Sequence, residues 1–280
     1  MRHNKFIFFS IFVGFIFFTY GWFFQKHPSY NHQQFDNYRE IKNVFDSADK
    51  NTLFIFDVDD TLITTTDAIR FAPLTFKILA ILKHLSHAFK YHQIASSLLQ
   101  QTIFFVFDPD IVNYIHKLQQ KECNVAALTL MKSGPYGLIQ SMPEWRAQML
   151  NDFGINLQGQ FQDTTFTNMP KKGGSHPCLH KGILCTNWTD KGAVLSEFLD
   201  HAHLNPLHII FFDDNSAMLG SVAAECAKRN INFSGYQCIG AKKFAGEWNN
   251  SRALFQLDYL IKHEQWLPDK QADALKISNN

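Results

Sequence analysis

The stretch FIFDVDDTL, residues 54–62, is a short apolar run that ends in three carboxylates. Residues 54–56 predict a buried strand, and Asp57, Asp59 and Asp60 follow it immediately. Negative charge at the tip of an apolar strand is unfavourable unless a cation, hydrogen-bond donors or solvent compensate it. The sequence therefore predicts a compensated acidic site at the end of this strand.

A second segment of the chain has the same design. Residues 207–212, LHIIFF, run directly into Asp213 and Asp214. Strands of a parallel sheet are covered on both faces and read as continuous apolar runs, and ligands gather outside their carboxyl ends. We therefore predict an α/β fold with a Rossmann-like, doubly wound parallel sheet that brings both acidic tips to one edge.

The acidic residues at this edge predict a magnesium site. Converging carboxylates repel one another, so a hard divalent cation is the natural counter-ion, and ligand sets made only of oxygen favour magnesium over zinc. Magnesium usually keeps waters and shares its coordination shell with substrate phosphate. Phosphate chemistry with Mg²⁺ as cofactor is therefore the leading functional hypothesis.

Four short motifs in a fixed order resemble the haloacid dehalogenase superfamily, most of whose members are phosphatases. Its DxDxT signature is matched by residues 57–61, DVDDT, and its second motif, a Thr or Ser that closes the next strand, by Thr129. Lys191, which opens KGAVLSEFL, matches the third motif, and the pair Asp213 and Asp214 matches the fourth. The ordered set is more specific than DxDxT alone.

A finer resemblance is to a little-characterised bacterial branch of that superfamily. It rests on LQQK, residues 118–121, before the second motif and on KGIL, residues 181–184, before the Lys helix. One departure is that Leu130 and Met131 follow Thr129, where many relatives carry a polar or basic residue. Phosphate contacts just beyond the second motif are therefore not implied.

The resemblance implies a phosphatase that hydrolyses a phosphate monoester through a phosphoaspartate intermediate. Asp57 is then the nucleophile, and Asp59 protonates the leaving oxygen and later deprotonates the attacking water. Thr129 and Lys191 bind the phosphoryl oxygens. The implied Mg²⁺ ligands are Asp57, Asp213, Asp214 and the main-chain carbonyl of Asp59.

Two other classes of function use the same residues. A phosphotransferase or phosphomutase keeps all of them and differs only in the group that accepts the phosphoryl. The other class is a non-catalytic, membrane-tethered binding module on the same scaffold. Such a module would be expected to lack Asp57 or Asp59, but this sequence contains both. The substrate is expected to be a small phosphorylated molecule, which no motif identifies.

The N-terminus predicts a transmembrane anchor or a signal segment. Residues 6–24 carry no charge and, as a helix, would span about 28 Å, close to the hydrocarbon thickness of a bilayer. Arg2 and Lys5 precede the span and favour a cytoplasmic N-terminus. A cleaved signal peptide is the main alternative, although no small-residue cleavage site is evident before Gln25, and a buried core helix is a third. The first two put the catalytic domain outside the cytoplasm, either anchored on the periplasmic side or secreted.

The chain of 280 residues is long enough for one elaborated α/β domain behind this segment. The predicted parts are residues 1–25 as anchor or signal, 26–50 as a linker with a short helix from Asn37 to Ala48, 51–260 as the catalytic domain, and 261–280 as a C-terminal tail. Residues 67–102 form a helical insertion, either a cap over the active site or extra helices beside the sheet. A net charge of +1 and the lack of a basic stripe argue against nucleic-acid binding.

Three other patterns need separate interpretation. Asp108-Pro109-Asp110 is interpreted as a helix start rather than a third acidic tip. Gly154 is predicted to end a helix over residues 139–153. The cluster of residues 176–180, HPCLH, with Cys185, leaves three alternatives open: zinc, a Cys178–Cys185 disulfide, or neither. The remaining cysteines, in apolar patterns, are expected to be buried thiols; they are Cys123, Cys226 and Cys238.

Overall fold

A computed structural model of the chain describes residues 32–278. Its strands are β1 Gln33–Phe35, β2 Thr52–Phe56, β3 Ile63–Thr64, β4 Phe105–Val106, β5 Asn124–Thr129, β6 Thr164–Thr165, β7 Cys178–His180, β8 Ile183–Cys185, β9 His208–Asp213 and β10 Asn232–Cys238. Its α-helices are α1 Lys42–Asp46, α2 Leu74–Lys83, α3 Tyr91–Gln101, α4 Asp110–Gln120, α5 Met142–Asp152, α6 Lys191–His201, α7 Ser216–Lys228, α8 Asn250–His263 and α9 Asp269–Ser278. Short 3-10 helices lie at Tyr38–Ile41, Ala68–Phe71, Leu85–Lys90 and Ala241–Phe244.

The fold is mixed α/β around a mainly parallel sheet, as predicted. Within the described residues this sheet has eight strands in the order β1-β10-β9-β2-β5-β8-β7-β6. The first six strands in this order, from β1 at the edge to β8, pair in parallel. The last three, β8, β7 and β6, pair in the antiparallel sense. Strands β2 and β9 are direct neighbours, with Phe56 paired to Phe212. The acidic residues that follow these strands therefore emerge at the same edge.

Both faces of the sheet are covered, which explains why β2 and β9 read as unbroken apolar runs. Phe54 and Phe56 face a core that includes α4 and α5, whereas Leu53 and Ile55 face a second core that includes α6 and α7. The Phe56 ring stacks on Phe212 with centroids 4.7 Å apart. Each such buried side chain contributes roughly 1.5–3 kcal/mol to folding.

Residues 33–46, assigned above to the linker and short helix, pack into the first core. Strand β1 adds to the sheet beside β10, and the expected helix is a 3-10 turn followed by the short α1. The buried Tyr38 ring lies 5.8 Å from that of Phe212, and its hydroxyl donates to the carbonyl of Thr61 at 3.0 Å. The N-terminal part of the described chain thus supports the loop after β2.

The helical insertion, residues 67–102, contains α2 and α3 with a 3-10 turn between them. It packs against α8 and the residues just before that helix. The Phe76 ring meets the Trp248 ring edge-on at 4.8 Å, and Lys83 pairs with Asp258 of α8 at 2.6 Å. The C-terminal residues fix its base, because the indole nitrogen of Trp266 donates to Asp67 at 2.8 Å. The first turn of the insertion, Ala68–Phe71, reaches the acidic edge through Arg70.

Two local predictions are confirmed. Helix α4 starts at Asp110, and the Asp108 carboxylate accepts the main-chain N–H of Asp110 at 3.1 Å, although the N-cap position falls one residue later, at Pro109. Gly154 follows α5 with a φ of +80°, and its N–H donates to Asn151 at 2.9 Å. Glycine takes this left-handed conformation without steric cost.

The predicted transmembrane or signal segment, residues 6–24, lies outside the described residues. In the described part of the chain, no helix has both the length and the apolar character of a membrane span.

Candidate active site

The loop after β2 fixes three acidic residues at the carboxyl edge of the sheet. The main-chain N–H of Asp57 donates to Phe212 at 2.8 Å, which continues the pairing of β2 with β9. Asp60 adopts a left-handed φ of 62°, a conformation that Asp tolerates better than most residues. Its N–H donates to the carbonyl of Ile63 at 2.7 Å, and its carboxylate accepts the Thr64 hydroxyl at 2.8 Å. These bonds hold the loop tightly against the strand end.

The ammonium group of Lys191 joins the acidic residues of the two strands. Its Nζ lies 2.5 Å from Asp57 Oδ1 and 2.7 Å from Asp213 Oδ2, and the residue is only 1% exposed. Burial disfavours the charge, but the attraction of the two carboxylates outweighs it and raises the pKa of Lys191. The lysine is therefore charged, although it occupies the first position of α6, where the helix dipole disfavours a cation.

A close contact between α6 and α7 fixes where Lys191 begins its helix. The N–H of Gly192 donates to the Ser221 hydroxyl at 2.8 Å, and that hydroxyl donates to the Asp190 carboxylate at 2.7 Å. Asp190 also caps α6 by accepting the N–H of Ala193 at 3.0 Å. A Cβ at position 192 would lie 2.4 Å from the carbonyl oxygen of Ser221, so this approach requires glycine.

Asp57, Asp213 and Asp214 form the candidate metal centre. Each offers a carboxylate oxygen, and these oxygens lie within 4.8 Å of one another. One ammonium does not fully balance the group, because burial raises the pKa of both Asp57 and Asp213. Burial, with the charges of Asp57 and Asp60, also raises the pKa of Asp214 to about 7. A hard divalent cation fits this set, since it would supply the missing positive charge to oxygen ligands.

Asp59 is held by two arginines rather than by Lys191. Its Oδ1 lies 3.1 Å from Nη2 of Arg146 and 3.3 Å from Nη2 of Arg70. Burial opposes ionisation of Asp59, but these two guanidinium groups outweigh it and lower the pKa of the carboxyl. Asp59 is therefore ionised at neutral pH in the absence of ligand.

Sequence reasoning missed both arginines. Arg146 belongs to α5 and is 3% exposed, with its guanidinium 4.9 Å from the ring of Trp145 and 5.6 Å from that of Phe104. The signal was available, because Met142 and Leu150, both buried, stand four residues to either side and mark position 146 as core-facing. Arg70 lies in a 3-10 turn with no such periodicity, so nothing in the sequence singled it out.

Thr129 ends β5 at the same edge of the sheet. Since Phe56 pairs with Ala127, the register places Thr129 one position beyond the level of Asp57, and its side chain is buried. The two residues after Thr129 have a structural role through their main chain. The carbonyl of Leu130 accepts the N–H of Trp188 at 3.3 Å, and the carbonyl of Met131 accepts the N–H of Asn187 at 2.9 Å. These bonds join the loop after β5 to the loop that leads to Lys191.

The His and Cys residues at 176–185 do not form a metal centre. Among the described residues, Asp57, Asp213 and Asp214 are the one group of three or more potential ligands close enough to share an ion. His180 instead lies between two carboxylates, 2.6 Å from Glu144 and 2.8 Å from Asp163. The zinc alternative is therefore unsupported.

The fold and the site define a class: an α/β protein with a buried lysine and an acidic cluster at the carboxyl edge of a parallel sheet. The chain belongs to the family described as protein of unknown function (DUF2608), whose model matches residues 34–272. The expected membership of the haloacid dehalogenase superfamily is wrong. The chain matches the model of the DUF2608 family and does not match a family model of that superfamily. Any acidic site at the carboxyl ends of parallel strands produces short acidic motifs of this kind. The motifs were therefore insufficient to assign a superfamily.

Similar proteins come from rickettsiae. The uncharacterised protein RP296 of Rickettsia prowazekii (strain Madrid E) is 23% identical over 241 residues, which cover 83% of this chain and 85% of the relative. An uncharacterised protein of Rickettsia felis (strain ATCC VR-1525 / URRWXCal2) is 24% identical over 135 residues, 46% of each chain. No solved structure matches the chain.

The raised pKa of Asp214 predicts how stability depends on pH. Its value of about 7 in the folded protein lies above that of the unfolded chain, so the folded state binds the extra proton. The resulting stabilisation is fully present below about pH 4 and is lost as the pH rises through 7. We expect the melting temperature without metal to fall between pH 5 and 8, and saturating Mg²⁺ to remove the decline.

Thermal melting at several pH values, with Mg²⁺ or with EDTA, measures this effect. Asp214→Asn is the matched variant, because it should reduce the decline without metal and weaken the response to Mg²⁺, while Asp57 and Asp213 keep part of the decline. Equal pH slopes with Mg²⁺ and with EDTA would contradict a metal centre at these acids.

Proposed function

We propose that this protein is a magnesium-dependent phosphatase that hydrolyses a phosphate monoester through a phosphoaspartate on Asp57. The observation that carries the proposal is the buried ion pair of Lys191 with Asp57 and Asp213, beside a third acid, Asp214. It combines an immobilised carboxylate, a fixed positive charge and an oxygen-only cation site at one sheet edge. Phosphoryl transfer through an enzyme carboxylate is favoured by these three elements.

Asp57 acts as the nucleophile. A carboxylate oxygen forms a bond to phosphorus while the bond between phosphorus and the leaving-group oxygen breaks. Water then attacks the phosphorus, which releases inorganic phosphate and returns the carboxylate. Lys191, fixed by Asp213, keeps Asp57 in one orientation and offers positive charge to the phosphoryl oxygens. The hydroxyl of Thr129 is proposed to donate to the same oxygens.

Asp57, Asp213 and Asp214 would hold Mg²⁺, together with the main-chain carbonyl of Asp59. When bound, the cation supplies positive charge that stabilises the phosphoryl oxygens in the transition state. The close spacing of these acids and their raised pKa values support this ligand set.

Asp59 is proposed to act as the base of the second step. Its ionised form suits the second step, in which it accepts a proton from the attacking water. In the first step the leaving oxygen needs a proton, which an ionised Asp59 lacks. The ion pairs with Arg70 and Arg146 therefore support a preference for leaving groups that depart as stable anions, such as phenolates or carboxylates, over alkoxides.

The finer description of the fold belongs to the same proposal. The central sheet is Rossmann-like and doubly wound, and residues 67–102 act as a small cap whose first turn carries Arg70. The contact of Arg70 with Asp59 supports the cap, because it links the insertion directly to the reacting carboxylates.

Release of inorganic phosphate from a panel of alkyl, aryl and acyl phosphates, with Mg²⁺ or with EDTA, tests the function. We expect magnesium-dependent release, fastest from the aryl and acyl compounds. Added alcohol separates the classes, because a phosphotransferase would form a new phosphate ester in place of inorganic phosphate. Binding of these compounds without turnover would identify a non-catalytic module instead.

The substitution Arg146→Met is expected to shift the pH profile of the reaction. Methionine suits the apolar surroundings, but Asp59 then keeps only Arg70, and the loss of one guanidinium group raises the pKa of its carboxyl. We expect the acidic limb of the rate profile to move to higher pH and the turnover number to fall about 10- to 100-fold. The measurement is the rate of phosphate release between pH 4 and 9.

Arg39→Met is the control, because Arg39 pairs with Asp110 on the surface, 2.8 Å apart and far more exposed. It should leave the profile unchanged. If Arg146→Met lost activity but the acidic limb of its rate profile did not move, Arg146 would not act through the pKa of Asp59.

We also propose that residues 6–24 anchor the protein in a membrane with its catalytic domain outside the cytoplasm. The uncharged apolar stretch supports this proposal. The full-length protein is expected to stay in the membrane fraction after an alkaline carbonate wash. Release of a shortened soluble form would instead identify a cleaved signal segment.

A further inference from the structure

The hairpin of β7 and β8 brings two cysteines face to face. Lys181 and Gly182 form its two-residue turn, with φ values of 48° and 79°. Two left-handed residues are the requirement of a type I′ turn, which fixes the register of a hairpin. In that register Cys178 is the direct partner of Cys185. The turn therefore decides which two thiols meet.

The distance between such partners suits a disulfide. Directly opposite residues of antiparallel strands have Cα atoms about 4.5–5.5 Å apart, and disulfides span about 4.4–6.8 Å between Cα atoms. The two thiols already contact each other through a hydrogen bond. Bond formation needs only a small adjustment of the side chains.

We propose that Cys178 and Cys185 form a disulfide by exchange with a small-molecule or protein disulfide. The Cys178 thiolate attacks one sulfur of the oxidant, which forms a mixed disulfide and releases the other sulfur as a thiolate. The Cys185 thiolate then attacks the Cys178 sulfur and releases the second thiolate. Two protein thiols are oxidised and one disulfide is reduced to two thiols. This inference does not rest on the proposed function.

The position of the hairpin decides which cysteine reacts first. Cys178 is 8% exposed, and the strand that flanks it toward the edge of the sheet is β6, which has two residues. Such a short edge strand opens locally at little cost. Cys185 is fully buried between β7 and β5, where it pairs with Thr129. The Cys185 thiol lowers the pKa of Cys178 by hydrogen bonding, although burial opposes this, which further favours attack by Cys178.

The remaining cysteines provide internal controls. They lie in separate elements: Cys123 before β5, Cys226 within α7 and Cys238 at the end of β10. All three are buried, and burial raises the pKa of Cys226 and Cys238 to about 12. Such thiols are poor nucleophiles, so they are expected to stay reduced.

The test is thiol counting on the purified full chain in detergent. The reduced protein is incubated with glutathione disulfide, denatured, alkylated with N-ethylmaleimide and weighed by mass spectrometry. We expect the number of alkylated thiols to fall from five to three, and the unreduced digest to contain a peptide pair joined through Cys178 and Cys185. The oxidised protein should melt on the order of 5 °C higher than the reduced protein.

Two serine variants test the order of attack. Cys185→Ser should stop at one glutathione adduct on Cys178, whereas Cys178→Ser should take up none. Five alkylated thiols in the wild-type chain after oxidation, a stable glutathione adduct without a cross-link, or a cross-link through another cysteine would each overturn the proposal. The wild-type count is decisive even if a variant fails to fold.

Discussion

Asp57→Asn is expected to abolish both turnover and formation of the phosphoenzyme. The asparagine amide is not a nucleophile toward phosphorus, and it also removes one of the three acids of the candidate metal centre. The fold should survive, because Lys191 keeps its ion pair with Asp213 at 2.7 Å. Loss of a covalent nucleophile lowers the rate by at least about 10³-fold in comparable systems. The measurement combines steady-state phosphate release with acid-quench trapping of phosphoprotein, using an aryl phosphate and Mg²⁺.

Asp46→Asn is the matched control, since Asp46 forms a surface ion pair with Lys42 within α1. It should retain full activity and full phosphoenzyme. Turnover of Asp57→Asn within tenfold of the wild type would remove Asp57 from the chemistry, and the proposed phosphatase mechanism with it.

Lys191→Met is expected to give the largest loss of stability. The substitution keeps most of the length of the side chain and its packing beside Phe211, whose ring centroid lies 5.3 Å from the ammonium. It leaves Asp57 and Asp213 buried without their shared cation, and breaking a buried ion pair in this way costs about 3–5 kcal/mol. Mg²⁺ should restore much of this loss, because the cation replaces the missing charge. Catalysis should still fall by about 10² or more, since the donor to the phosphoryl group is gone.

Urea unfolding with Mg²⁺ and with EDTA measures both parts of this prediction. Lys42→Met is the control, because its pair with Asp46 is exposed to solvent and should contribute little to stability. If Lys191→Met were as stable as the wild type in EDTA, the two acids would not be carrying buried charge, and the electrostatic argument for a cation site would fail.

The sequence was most informative where the chain is buried on both sides. The strands β2, β5 and β9 were predictable, because side chains such as Phe54 and Ile209 face cores on opposite sides of the sheet and make the runs continuously apolar. The convergence of Asp57 with Asp213 followed from parallel pairing alone. Strands β1 and β6 were missed because three and two residues are too few to show a pattern.

The partners within the site were harder to predict than its acids. That Lys191 contacts two carboxylates at once depends on the close approach of α6 to α7 at Gly192, a tertiary feature with no local signal. The two arginines at Asp59 show the same limit, because Arg70 arrives from a 3-10 turn whose placement depends on the C-terminal helices. The sequence therefore identified the acids and Lys191, but not the two arginines that compensate Asp59.

The central place of β2 in the sheet also matters while the chain is being made. On the ribosome, β2 can pair with β5 soon after both emerge, but its other side waits for β9, which is synthesised much later. Until then β2 has an open, strongly apolar edge, the kind of surface that recruits strands from other nascent chains. Asp57, Asp59 and Asp60 flank that edge, and charged residues in this position act as gatekeepers against aggregation. The acids at the site would therefore already protect the unfinished protein before β9 completes the sheet.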